Sequence, residues 1–326
     1  MSQASRALAH AFEIGALSPQ RAFFLRAEDP PFASIDCEQS ARPAFLHLKK
    51  AKPRISEGQY RLGLILLTKH KEENFANIAR GWALLEPGGT LACAGANDDG
   101  AASLEKNVAK AFGGLAGNLS KYHCRTFWIT KDALMPPDYW RGLAGLQPVG
   151  DAPELDRPWR SQPGVFSWDH VDDGSALLAR HLPDDLNGSV ADFGCGWGYL
   201  TMEALKRAPD IELVDLIDAE YRAIEAARAN IDSVRAAFHW LDLTTEKVPA
   251  AYDAILCNPP FHTGRASTPA LGQNVIEAAS RALKKGGRFY MVANRGLPYE
   301  PLLKAHFTSF ETLADNNKFR VTVARK

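Results

Sequence analysis

The chain has 326 residues, 46% of them hydrophobic, which is ordinary for a folded protein and enough for two domains with buried cores. Its 38 Lys and Arg balance 38 Asp and Glu, so there is no overall basic signature, and a polyanion would need a local basic face. No apolar run approaches the ~20 residues of a membrane span, the first residues lack a signal-peptide core, and five scattered cysteines without Cys-x-x-Cys spacing predict a reduced, metal-free cytoplasmic protein.

In chain order, residues 21–26 read as a short strand followed by Ala27-Glu28-Asp29-Pro30, with no glycine loop. Lys49, Lys50, Lys52 and Arg54 lie close together with little acid between them. They form either a solvated loop or a contact to a nucleic-acid backbone. Tyr60 opens an apolar run to Leu67 of the kind buried in parallel sheets. It leads into Thr68-Lys69-His70-Lys71. Leu85-Glu86-Pro87-Gly88-Gly89 opens another apolar strand, which ends at Asn97. Residues 1–150 hold 18 basic and 14 acidic side chains, +4, and the remainder 20 and 24, −4. Pro and Gly then accumulate from Met135-Pro136-Pro137 through Gly164, the composition of a linker. The expected division is a domain over 1–134, a linker over 135–162 and a second domain over 163–326.

Phe166, Trp168 and His170 precede a helix expected over 175–181, with Asp172 and Asp173 as capping candidates. A strand from Ser189 then runs into Asp192-Phe193-Gly194-Cys195-Gly196-Trp197-Gly198. Alternating glycines let the backbone bend sharply and touch a ligand. A dinucleotide fingerprint needs a glycine three residues after the second one, and Tyr199 stands there. The pattern Asp-x-Gly-x-Gly-x-Gly suits S-adenosyl-L-methionine, which has no diphosphate to cradle. A helix expected over 201–208 leads to the strand 211–218, whose last residue, Asp218, is placed to accept both ribose hydroxyls. After an Ala-rich helix, the strand 237–241 is closed by Asp242, expected to face the adenine amino group.

The fourth strand, 253–257, ends in Asn258-Pro259-Pro260-Phe261. Two prolines stop the strand and hold the backbone extended. That leaves the Asn258 side-chain oxygen and the Pro259 carbonyl converging as a receptor for an NH₂ group, with Phe261 as a stacking face. Together, these segments at these intervals read as a class I methyltransferase. Phe166 and Ser167 are expected at the methionine end of the cofactor. Pro260, His262 and Arg295 are substrate-side candidates, with Arg265, Lys318 and Arg320 as weaker ones.

The first half reads as a worn copy of the second. Tyr60 corresponds to Tyr252 and the pair Gly88-Gly89 to Gly286-Gly287, at offsets of 192 and 198 residues. The copy carries no glycine loop and no Asn-Pro-Pro-Phe, so it is not expected to bind the cofactor.

As a set, several segments resemble the bacterial ribosomal RNA guanine-N2 methyltransferases: Pro163-Gly164-Val165-Phe166-Ser167, Asp172-x-Gly174-Ser175-x-x-Leu178, the glycine loop, Asn258 to His262, and Val292-Ala293-Asn294. The Phe-Ser and Asp-x-Gly-Ser segments are similar to the small-subunit branch. Asn294-Arg295 and Asn316-Asn317-Lys318-Phe319 look more like the large-subunit branch. The resemblance implies tandem Rossmann-like class I methyltransferase domains, the N-terminal one degenerate and serving RNA docking or structural support. It implies S-adenosyl-L-methionine as cofactor and ribosomal RNA or a ribosomal subunit as partner, with 16S favoured over 23S. Residue chemistry alone also permits another planar amine (adenine N6 or glutamine N5) or a non-catalytic RNA-binding protein. Oligomeric state is not legible.

Overall fold

The computed structural model describes the whole chain except residues 49–50, 151–154, 156, 250, 260–261, 264–265 and 268, and the side chains of 262–263, 266–267 and 269–270. The chain divides into two compact units, Met1–Gln147 with Gln162–Gly164 and Pro148–Ser161 with Val165–Lys326.

The first unit runs α1 (Gln3–Glu13), β1 (Ala22–Leu25), β2 (Ile35–Glu38), β3 (Tyr60–Leu66), α2 (Lys71–Leu84), β4 (Leu85–Ala96), α3 (Ala101–Ala111), β5 (Gly117–Lys121) and β6 (Cys124–Thr130). Its six strands are ordered β2-β1-β3-β4-β6-β5, parallel from β2 to β4 and antiparallel beyond. Ser2 caps α1 by accepting from the Ser5 amide. Leu8 and Ala11 of that helix bury against Phe24, Leu62, Leu64 and Ala92.

The second unit runs α4 (Asp173–Arg180), β7 (Gly188–Phe193), α5 (Tyr199–Arg207), β8 (Ile211–Asp218), α6 (Tyr221–Asn230), β9 (Ala236–Trp240), β10 (Tyr252–Cys257), α7 (Pro269–Ala282), β11 (Leu283–Asn294), α8 (Glu300–His306), β12 (Ser309–Asp315) and β13 (Phe319–Arg325). The sheet order is β9-β8-β7-β10-β11-β13-β12, with β13 antiparallel to both neighbours. Strand order reverses between β7 and β10, and the crevice at such a reversal is where open α/β sheets bind ligands. Phe193, Tyr252, Ile255 and Phe289 are fully buried beneath it.

Duplication is visible in the register. Tyr60 pairs with Leu85, then Leu62 with Thr90. Tyr252 pairs with Leu283, then Ala254 with Arg288. Each bulge takes up the same extra residues, and Gly88 and Gly286 serve both turns at φ of 79° and 80°. Both tyrosine hydroxyls donate across an intervening strand, Tyr60 to Asp36 at 2.8 Å and Tyr252 to Asp215 at 2.7 Å.

The copies differ at the carboxyl ends of their strands. In the first unit, Arg26 follows β1 and donates to Glu73 at 2.7 Å. Glu38, which ends β2 as Asp218 ends β8, takes two bonds from Arg80 and one from the Ile55 amide. Thr68 is clamped by the Asn74 amide at 2.9 and 2.7 Å. Ion pairs occupy the strand ends where the second unit carries a glycine loop.

Candidate active site

Gly194, Gly196 and Gly198 have φ of 74°, 53° and 95°, a region that costs residues with a Cβ. Gly198 is also the N-cap of α5, so the helix starts at Tyr199, two residues before its expected start. The loop amides point inward. Gly194 and Cys195 donate to the Ile217 carbonyl at 2.9 and 3.1 Å, and Gly196 donates to Asp218 Oδ2 at 3.0 Å. A phosphate cradle needs such amides aimed at the ligand; here they hold the loop onto the end of β8.

Asp218 accepts a second amide, from Glu220 at 2.8 Å. Burial pushes its carboxyl up to about 6, against the lowering effect of those amide donors. Asp192 is fully buried. Its Oδ2 accepts from the Thr201 amide and hydroxyl at 3.1 and 2.8 Å, while Oδ1 has no partner. Burial raises this carboxyl to about 7. Asp242 turns both oxygens to its own turn, Oδ1 to Thr244 and Oδ2 to the Thr245 hydroxyl at 2.6 Å.

Between the loop and the end of β10 lies a cleft of about 400 Å³ including its open mouth, with Phe166, Ser167, Asp172, Ser175, Gly196 and Asn258 in its wall. A Cβ on Gly194 would lie 4.0 Å from the Asn258 carbonyl oxygen, so loop and strand end meet. Phe166 is 65% exposed, and Ser167 holds φ of 45°, a strained value for a residue with a Cβ. Trp197 secures that strap by donating its indole N–H to the Ser167 carbonyl at 3.1 Å. Asn230 ties the Trp197 carbonyl to Arg160. Sequence reasoning misses Trp197 and Asn230, since an aromatic in a loop and an Asn ending a helix carry no signal of their own.

Asn258 is held by its amide nitrogen, which donates to Asp172 Oδ2 and Ser175 Oγ, both at 2.9 Å. The amide oxygen accepts from none of the described residues. Pro259 is buried beside it. Pro260 and Phe261, and the side chain of His262, lie outside the described residues, as does Arg265. Arg295 stands on the surface, paired with Asp315 at 3.2 Å. Lys318 pairs with Asp173 at 2.7 Å, and Arg320 with Glu300 and Asp315. None of these three lines the cleft.

The cleft fits S-adenosyl-L-methionine. Its wall is a glycine backbone without side chains, the Asp218 carboxylate at the end of the second strand accepts the Gly196 amide of that wall, and Asp192, two residues ahead of the loop, keeps a buried oxygen, Oδ1, without a partner. Among the described residues, no cluster of His, Cys, Asp or Glu could hold a metal ion, and no helix is long and apolar enough to cross a membrane. A site of this kind at the reversal of this sheet defines a class I S-adenosylmethionine-dependent methyltransferase.

Comparison with known proteins narrows the class. The methyltransferase small domain family model matches residues 157–323. The chain is 33% identical over 246 residues to the ribosomal RNA small subunit methyltransferase C of Shewanella pealeana, covering 73% of this chain and 69% of that protein. It is 36% identical over 232 residues to the ribosomal RNA large subunit methyltransferase G of Shewanella amazonensis, covering 69% and 58%. The T. thermophilus 16S rRNA N2 methyltransferase, solved in complex with AdoMet and guanosine, superposes with a TM-score of 0.80 at 24% identity, over 100% of this chain and 92% of that one. The chain belongs to the methyltransferase small domain family, and its relatives include ribosomal RNA methyltransferases of the C and G types.

Proposed function

We propose that this enzyme methylates the exocyclic N2 amine of a guanine in ribosomal RNA, 16S in preference to 23S. The carrying observation is the orientation of Asn258, whose amide nitrogen is committed to Asp172 and Ser175. Its oxygen is then the end available to a donor. S-adenosyl-L-methionine supplies an electrophilic sulfonium methyl when bound. The task of the chain is to align a weak nucleophile with it, because the guanine amine has its lone pair delocalised into the ring. Asn258 Oδ1 and the Pro259 carbonyl accept the two N–H bonds of that amine, turning its lone pair toward the methyl group. The same two oxygens stabilise the positive charge that grows on nitrogen. Phe261 is the proposed stacking face, and the base must leave its RNA stack to reach it. No dedicated base is required, since the proton can leave to water.

Asp218 is proposed to take the ribose hydroxyls, with Gly194, Gly196 and Gly198 as the backbone wall and Phe166 and Ser167 at the methionine end. Asp242 is proposed near adenine through whatever lone pairs its threonine contacts leave. Asp192 supports the loop by accepting from Thr201 at the start of α5. The partner is a ribosomal subunit or its RNA, which places the enzyme in the cytoplasm. The first unit serves RNA docking or support of the catalytic half.

The longer match to the C type favours 16S; the comparable identity to the G type keeps 23S as the second reading. Methyl transfer from radiolabelled S-adenosylmethionine to separated ribosomal subunits and to protein-free RNA tests both. We expect label in 16S RNA, reduced about 100-fold or more by Asn258→Ala, with cofactor binding retained. Label in 23S RNA alone would transfer the assignment to the second reading. No label in either RNA would sink the proposal.

A further inference from the structure

We infer that Asp172 and Ser175 are positioning residues that fix the polarity of the Asn258 amide and so make the site select an N–H donor. The inference rests on the role proposed for Asn258. An amide side chain is nearly symmetric in shape, and packing alone distinguishes its oxygen from its nitrogen poorly. Asp172 removes that ambiguity. Its carboxylate is an acceptor only, and Oδ2 lies 2.9 Å from the amide nitrogen of Asn258. With the opposite flip, two oxygens would face each other at that distance. Ser175 Oγ receives the second N–H at 2.9 Å, so both hydrogens of the amide are placed. The oxygen is thereby turned away from Asp172.

Asp172 is itself immobilised. Its Oδ2 accepts from the Ser175 amide at 2.8 Å as the N-cap of α4, so one oxygen serves both the helix end and Asn258. Gly174 closes the fit, because a Cβ there would sit 3.0 Å from Asp172 Oδ2 and 3.2 Å from the Phe319 ring. The contact joins residues 86 positions apart, linking the segment before α4 to the end of β10. A pocket built this way rejects a group that can only accept, such as a carbonyl oxygen, because two acceptors would then face each other.

Swapping polarities separates positioning from mere support. In Asp172→Asn the helix cap survives, since Asn caps as well as Asp. The new amide, however, can donate to Asn258 Oδ1 and allows the flip that presents N–H groups to the substrate amine. In Asn258→Asp the new carboxylate meets Asp172 and is repelled from the working geometry. In the double variant a donor again faces an acceptor, and one oxygen at position 258 is again turned toward the substrate.

We expect each single variant to lose about 100-fold in kcat on the RNA that the parent enzyme labels, with cofactor affinity by calorimetry within about threefold. The double should recover about tenfold over either single, a coupling that loss of structure cannot produce. Asp172→Asn activity within about threefold of the parent, or a double no better than the worse single, would overturn the inference. Should Asp172→Asn not fold, Asn258→Asp carries the test alone. It is expected to fall to the level of Asn258→Ala, and retention of more than about a tenth of parent activity overturns the inference. Full activity in Asn258→Ala overturns both this inference and the role of Asn258, whereas loss there with full activity in Asp172→Asn overturns this inference only.

Discussion

The role proposed for Asp218 predicts that cofactor binding depends on pH. Its carboxyl is lifted to about 6 by burial at the end of β8. In the role proposed for it, Asp218 accepts from the ribose hydroxyls of a cationic cofactor, so the ionised form is the binding form. A ligand that prefers the deprotonated state binds more tightly as pH rises through the pKa of the free protein, and gains nothing further above it. Calorimetry is therefore expected to show affinity rising as pH climbs toward about 6, by at most roughly tenfold per unit, and levelling off above it. Asp218→Asn should remove most of that dependence, and a flat profile in the parent would contradict the ribose contact. Asp192, raised to about 7, titrates in an overlapping window, so Asp192→Asn serves as the control. For stability the sign is the reverse of a salt-bridged carboxylate. The folded state holds these two protons more tightly than the unfolded chain does, so both groups cost stability as pH climbs from about 4 to about 7. Asn258 and Asp218 are legible in the sequence because residue type and strand-end position together define them. The grip of Asp172 on Asn258 is not, because a helix cap already accounts for Asp172 and nothing local couples positions so far apart.

The glycine loop divides its work among its three glycines. A Cβ on Gly198 would meet Ile231 at 3.1 Å on a backbone already at φ 95°, whereas a Cβ on Gly196 would meet no atom of the described residues within 4 Å. Gly198→Ala should therefore unfold more easily, by about 1–3 kcal/mol in a denaturant titration. Gly196→Ala should lose only about 1–2 kcal/mol yet bind cofactor far more weakly, because its methyl group projects where the ligand backs onto the loop. Equal affinity in Gly196→Ala and the parent would mean that the ligand does not touch that turn. Elements of this kind are well signalled in the chain. Apolar runs mark the buried parallel strands, and the repeated Tyr and Gly-Gly positions foretell the matched bulges. Boundaries shift where geometry intervenes, as at Tyr199, which joins the helix because Gly198 turns the chain into it. Phe166 and Ser167 are marked in the sequence, but the anchoring of their strap is not, since the strained backbone at Ser167 is held by a Trp197 indole that belongs to another element.

At the scale of the molecule, one fold has been used twice and kept for chemistry once. Both sheets share the order of their six common strands, the bulge beside the first tyrosine and the Tyr–Asp bond across the middle strand. What separates them is how the strand ends satisfy their polar groups. The second unit leaves Asp192 Oδ1 without a partner and ties its loop back so that a cleft stays open. The first unit closes its strand ends on itself, with Arg26 on Glu73 and Arg80 on Glu38 at 2.7 Å. These acids are almost fully buried, and removing one partner of such a pair leaves an uncompensated charge costing about 3–5 kcal/mol. A ligand entering there would have to break the pairs, so the first unit opposes a ligand energetically. The full chain is accordingly expected to bind one equivalent of S-adenosylmethionine in a calorimetric titration. Asp218→Ala should abolish the main binding isotherm without exposing a second. Two equivalents, or a residual site in Asp218→Ala that Arg26→Ala then removes, would show that the worn copy still holds a nucleoside.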